Sequence, residues 1–197
     1  KFMTNSVDKF EKTLASFTGA PYVVTTDCCT HAIELCMRYL NVKKCEFTAY
    51  TYLSVPQTMR LLNIDYTLTG EQWQGEYRFH GTDIWDSARL LKPKMYRSRQ
   101  YQCLSFGPGK PVDNVRGGAI LCDDPHDYRM LKRMSYDGRD PDVALWIDQK
   151  QYTQGFHYMM RWEEEDTALE KLNAYMEKGT YEHKYKPYYD CRDIKIL

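Results

Sequence analysis

The chain has 197 residues and a mass of 23.4 kDa, enough for one well-cored domain and hardly two. Its 27 basic and 27 acidic residues cancel, which removes the electrostatic case for a nucleic-acid or membrane surface as partner. Seven cysteines, an odd count without metal-ligand spacing, and no apolar stretch approaching about 18 residues point to reduced thiols, no bound metal and a cytoplasmic location.

Ser6 to Phe17 reads as an amphipathic helix, with Val7, Phe10, Leu14 and Phe17 at helical spacing. "APYVVTT" is a short β-branched strand, and "CTHAIELCMRYL" a helix with Ile33, Cys36, Met37 and Leu40 on one stripe. "CEFTAYTYL" is a strand, and "PQTMRLLN" a helix opened by Pro56. "IDYTLT", "TDIWD", "YQCLSF" and "GGAILCD" are further strands. "PHDYRMLKRM" and "RWEEEDTALEKLNAYMEK" are helices, the second closed by Gly179. Alternating strands and helices predict an α/β domain over residues 1–180, with a mostly parallel sheet and helices on both faces. Residues 181–197, rich in Tyr, Lys and Pro, read as a C-terminal arm lying on a partner or frayed. The 17 tyrosines suit half-buried, wet surfaces such as an oligomer interface or a polar cleft.

In such a sheet ligands bind where the carboxyl ends of the strands meet the loops, so the residues after each strand matter most. After "YVVTT" come Cys29 and Thr30, where a helix N-terminus offers free N–H groups to a phosphate and Thr30 can cap the helix. Tyr52 follows the next strand and can lay its ring on a flat ligand. Asp86 ends "TDIWD" and can face a cationic ring nitrogen; Asp83, at that strand's start, reaches the site less well. Ser105 and Lys110 flank the Gly-Pro-Gly turn after "YQCLSF", where glycines let a ligand approach the backbone closely. Gly117 and Gly118 then signal crowding beneath the same loop. A phosphate cradle, an aromatic plate, a carboxylate, a hydroxyl and an amine together suit one cofactor, pyridoxal 5'-phosphate.

In that order the residues resemble the fold-type I, pyridoxal-phosphate-dependent sugar aminotransferases of the DegT/DnrJ/EryC1/StrS group. The likeness runs through "FEKTLASFTGAPYVVTTDCCTHAIEL", "AYTYLSVPQTM", "IWDSA", "SFGPGKPVDNVRGGAILCDD", "MLKRMSYDGRD" and "GFHYMMRWEEEDTALEKL". It implies the large α/β domain of that fold, with the small C-terminal domain reduced or absent. Lys110 would carry the cofactor covalently, Asp86 would pair with the pyridine nitrogen, and these two are the catalytic candidates. Cys29, Thr30 and Ser105 would hold the phosphate and Tyr52 would stack on the ring. His157, in place of the family's Asn, would reach a neighbouring subunit's phosphate, which implies a homodimer. The substrates implied are an amino-acid donor such as glutamate and a keto-sugar carried on a nucleotide.

Two positions depart from the pattern. Cys29 replaces a glycine before the phosphate-binding Thr, and Arg89 replaces a His or Gln near the cofactor's phenolic oxygen. They leave room for a reduced relative that binds cofactor or sugar nucleotide without turnover. Two weaker alternatives are single-strand binding by "KPKMYRSRQYQ" and a nucleophilic Cys28 or Cys29 at the helix N-terminus.

Overall fold

The computed structural model describes residues 5–194. The side chain of Val7 and residues 195–197 of the predicted arm lie outside the described residues. In chain order the elements are α1 (Asn5–Thr18), β1 (Tyr22–Thr26), α2 (Cys29–Tyr39), β2 (Lys44–Thr48), α3 (Ser54–Leu61), β3 (Asp65–Thr69), β4 (Tyr77–Arg78), β5 (Ile84–Asp86), β6 (Tyr101–Ser105), β7 (Gly118–Cys122), α4 (Pro125–Ser135) and α5 (Trp162–Lys178). All five predicted helices and six predicted strands are present; β4, two residues long, carries too little pattern to be read from sequence.

The main sheet has the order β1-β7-β6-β5-β4, and β2 pairs with β3 alone. The expected mostly parallel sheet is correct for direction but not for pairing. β5 and β6 run parallel, as do β2 and β3. β7 lies antiparallel between β1 and β6, so those two strands share a direction without touching. β4 is antiparallel to β5, and the residues just after it bridge antiparallel to β2. Five strands therefore point one way, and only β4 and β7 run against them. β7 follows its neighbour β6 through residues 106–117, and an antiparallel neighbour needs no long crossover.

Period-two alternation in the strands builds a core on each face of the sheet. Val24, Cys103 and Ile120 pack with Ile33, Met37 and Leu131 on the side of α2 and α4. Val23, Leu104, Ala119 and Leu121 pack with Phe10, Leu14 and Leu172 on the side of α1 and α5. This matches the predicted helices on both faces. Two helices end as their sequences dictate. Asp124 caps α4 by accepting hydrogen bonds from the His126 and Asp127 amides, and Gly179 closes α5 in the left-handed region at φ 66°.

A buried polar knot ties both layers together. Lys132 of α4 bonds Glu11 of α1 at 2.5 Å. The Thr25 hydroxyl of β1 lies 2.8 Å from Glu11 Oε1 and 2.8 Å from Glu165 Oε1 of α5. The predicted arm folds back onto its own chain: the Cys191 amide donates to the Ala49 carbonyl at 2.9 Å, and Lys186 O accepts from Arg89 at 2.9 Å. Among the described residues no helix is long and apolar enough to cross a membrane, and all seven cysteines are free.

Candidate active site

A cavity of about 460 Å³ opens at the carboxyl ends of β1, β5 and β6. Cys29, Thr30, Tyr52, Asp86, Arg89, Ser105 and Lys110 all line it, so seven of the eight residues read from the sequence meet in one place. The eighth, His157, lies elsewhere. It is exposed, 3.2 Å from Asp137, and its backbone bridges to Tyr136.

The turn predicted to cradle a phosphate is built by close packing. A Cβ on Gly118 would stand 2.5 Å from the Cys28 carbonyl carbon and the Cys29 nitrogen, so only glycine lets the β1–α2 turn sit down on β7. The turn becomes the N-cap of α2 at Cys28, which makes no side-chain cap. Thr30 therefore does not cap the helix, as its sequence position suggested. It sits one residue inside the first turn, and its hydroxyl bonds Ser54 Oγ of α3 at 2.7 Å. The result is a helix start with open amides, flanked by two paired hydroxyls, which is the donor set an anion requires. Ser105 adds a third hydroxyl at the end of β6, 3.5 Å from the Gly107 amide.

Cys29 does not crowd this cradle. Its Sγ turns inward, 3.6 Å from the Cys103 carbonyl and 4.0 Å from Asp86 Oδ1. Burial, with Asp86 nearby, pushes its thiol well above the usual range, so it stays protonated and is not the nucleophile considered from sequence.

Asp86 is 4% exposed. Oδ2 accepts from the Tyr77 hydroxyl at 2.8 Å, and Oδ1 from the Ala88 amide at 2.9 Å. Thr51 Oγ1 lies 2.6 Å from the Tyr77 oxygen and fixes it in turn. Burial raises the Asp86 pKa, and these hydrogen bonds and the charges of Lys110 and Arg89 only partly oppose that. A carboxylate so placed gains from a cation held directly against it.

Lys110 stands on the Gly-Pro-Gly turn and donates from Nζ to the Tyr188 oxygen at 3.0 Å. Arg89, the other cation, is caged. Its guanidinium carbon is 3.7 Å from the Tyr188 ring centre, 4.9 Å from that of Tyr185 and 5.4 Å from that of Trp73. Tyr52 is 61% exposed at the cavity mouth, its ring 6.1 Å from that of Tyr188. Sequence reasoning missed Tyr77, Ser54, Tyr185 and Tyr188. Ser54 follows Tyr52 closely and the last two belong to the tyrosine-rich tail, whereas nothing in the sequence signals Tyr77.

The "KPKMYRSRQYQ" strip is tied down rather than open at its centre. Arg97 grips Glu76 with both guanidinium nitrogens, at 2.6 and 3.0 Å, and stacks 4.1 Å over Trp85.

This geometry can be set beside known proteins. Residues 2–67 match the DegT/DnrJ/EryC1/StrS aminotransferase family. The resemblance read from the residues is thus met by an independent match over the part that includes the cradle and Tyr52. The fold extends the likeness along the chain. The sugar aminotransferase CalS13 from Micromonospora echinospora superposes with a TM-score of 0.75 at 14% identity, over 89% of this chain and 62% of that one. A DegT DnrJ EryC1 StrS aminotransferase from Brucella abortus gives 0.69 at 14%, over 89% and 60%. Helicobacter pylori PseC, an aminotransferase involved in the biosynthesis of pseudoaminic acid, gives 0.69 at 11%, over 88% and 59%. The chain has the fold of pyridoxal-phosphate-dependent aminotransferases of this family and spans about 60% of the length of the solved structures it matches. No curated protein matches it in sequence.

Proposed function

We propose that the chain binds pyridoxal 5'-phosphate and acts as an aminotransferase, passing nitrogen from an amino-acid donor such as glutamate to a keto-sugar carried on a nucleotide. One observation carries the reading: a hydroxyl-flanked helix N-terminus, a buried carboxylate and a lysine amine converge on one cavity of about 460 Å³. That donor set fits the cofactor, and Cys29, the residue most at odds with it, turns away from the cradle.

When bound, the cofactor supplies an electron sink for charge left on a carbon next to nitrogen. The chain's residues do the rest. The α2 amides, with Thr30, Ser54 and Ser105, bind the phosphate. Tyr52 covers the ring face, and Asp86, oriented by Tyr77, holds a proton at the ring nitrogen. Lys110 would hold the cofactor through its amine, which stands at the cavity able to serve as general base and acid toward a bound substrate's carbon. Arg89 contributes fixed positive charge nearby.

His157 is exposed on the outside of its own chain, and its proposed role is toward a second copy's cofactor phosphate in a homodimer. The caging of Arg89 favours a second reading, a protein that holds the cofactor without turnover.

The test is an absorbance spectrum with added pyridoxal phosphate, before and after borohydride, for wild type and Lys110→Ala. A visible band that borohydride abolishes while leaving the cofactor covalently on Lys110, and that the variant lacks, is expected; equal spectra from both proteins would overturn the assignment. Added glutamate then separates turnover, which shifts the band, from binding alone, which leaves it in place.

A further inference from the structure

Tyr188 occupies the amine on which the proposed chemistry depends. The C-terminal segment reaches the site as a strap anchored at both ends of its crossing. Before the crossing, the Lys186 carbonyl accepts from Arg89 at 2.9 Å. After it, Cys191 bonds back to the loop following β2, through its amide to Ala49 O at 2.9 Å and its thiol to Thr51 O at 3.4 Å. Tyr185, just before the first anchor, and Tyr188, between the two, turn into the cavity. Tyr189, the next residue, is 89% exposed.

The Tyr188 ring is held on three sides. Arg89 lies 3.7 Å from its centre. Trp73 stacks at 6.1 Å with a 30° interplanar angle, and Tyr52 leans on it at 6.1 Å. Trp73 is itself pinned by its indole N–H to Tyr50 O at 2.6 Å. The phenol oxygen is thereby fixed 3.0 Å from Lys110 Nζ. A lysine donating to a phenol is oriented, but the same contact obstructs attack on a carbonyl carbon, which needs the nitrogen lone pair and the space in front of it.

We propose that Tyr188 is a gating residue of the site: its phenol holds the Lys110 amine, and it has to yield before the amine can bond a carbonyl. The consequence for aldehyde condensation rests on the cofactor reading above; the hold on the amine does not.

The full chain is treated with acetic anhydride, in which the amine attacks the carbonyl carbon, acetate leaves and a proton passes to solvent. Peptide mass spectrometry then gives the acetylation of Lys110 relative to exposed Lys150, with buried Lys132 reporting that each variant is folded. Tyr188→Phe, which removes only the hydroxyl, is expected to raise the Lys110 ratio roughly tenfold, the size of one charge-assisted hydrogen bond. Tyr188→Ala raises it at least as far. A ratio unchanged in both variants overturns the proposal. So does an increase confined to Tyr188→Ala, which would mean that the ring merely covers the lysine. Borohydride trapping of pyridoxal phosphate on the same proteins reads the cofactor assignment separately. No trapping in any protein would sink that assignment while leaving the acetylation result to stand or fall by itself.

Discussion

The buried knot behind the sheet makes a quantitative prediction. The Thr25 hydroxyl has one proton, yet it lies 2.8 Å from oxygens of both Glu11 and Glu165. With Lys132 paired to Glu11, the arrangement closes only if Glu165 is protonated and donates to Thr25, which donates to the Glu11 carboxylate. Burial, reinforced by the neighbouring Glu11, pushes the Glu165 pKa up to about 8. The folded form therefore holds a proton that the unfolded chain, near its ordinary value of 4.5, releases. Below about pH 4.5 both states are protonated and stability does not depend on this group. Between there and pH 8 unfolding releases the proton, so stability falls as pH rises. Above pH 8 the loss is complete.

At about 1.4 kcal/mol per pH unit, the span from 4.5 to about 8 caps the loss near 5 kcal/mol. Water entry and local relaxation on ionisation cut that ceiling roughly in half. Glu165→Gln keeps the shape and a donor toward Thr25 but cannot ionise. It should match wild type within about 1 kcal/mol at pH 5 and exceed it by roughly 2–3 kcal/mol at pH 9. Urea denaturation of both proteins across this range gives the difference directly, and taking the difference cancels every other titrating group. Parallel stability curves, with no divergence above pH 6, would refute the reasoning.

Two further outcomes follow from the site's frame. Gly118→Ala drives a Cβ into the backbone of Cys28 and Cys29, at a cost of about 1–3 kcal/mol, and should weaken pyridoxal phosphate binding at least tenfold; Gly70→Ala, where nothing lies within 4 Å, is the control that should change neither denaturation midpoint nor binding. His31 sits 2.5 Å from Asp27 and stacks on Tyr158 at 3.7 Å. Burial is the largest single influence and opposes its charge, but the hydrogen bonds and charges of Asp27 and Cys28 together outweigh it and push its pKa up to about 10. The stability this adds is full below pH 6.5 and fades as pH rises through 10, so His31→Gln should cost about 1–2 kcal/mol at pH 6 after solvent screening and almost nothing above pH 10. An equal cost at both pH values in thermal unfolding would contradict that assignment.

What could be read in the sequence was whatever local chemistry dictates. Helix stripes, β-branched runs, the Gly179 stop and the residues following each strand are all local, and all emerged where the pattern put them. The cluster from Cys29 to Lys110 was legible because the ligand-binding edge of such a sheet is crossed by successive strand ends. What escaped depends on long-range contact. Tyr77 is buried beside Asp86 by a two-residue strand that no periodicity announces. Tyr188 meets Lys110 78 positions earlier, a closure that tyrosine-rich composition hints at without locating. The orientation of Cys29 was equally hidden, since a residue in the first turn of a helix can face the anion or the sheet, and only packing against Cys103 decides.

The reversed strand explains the glycine pair. Reading the residue after each strand works for β1, β5 and β6, whose carboxyl ends carry the turn to α2, Asp86 and Ser105. β7 runs the other way, so it brings its beginning to that edge. Thr26 at the end of β1 and Ser105 at the end of β6 both pair with Gly118, the first residue of β7. Gly118 is thus enclosed between two strand ends and the start of a helix, and any side chain there meets backbone within 2.5 Å. Gly117, at φ 134° and facing Met160, turns the chain into that slot. The two glycines that follow Lys110 in the sequence lie against the backbone of the β1–α2 turn at Cys28 and Cys29. They and the lysine are brought to one edge because β7 is inserted backwards.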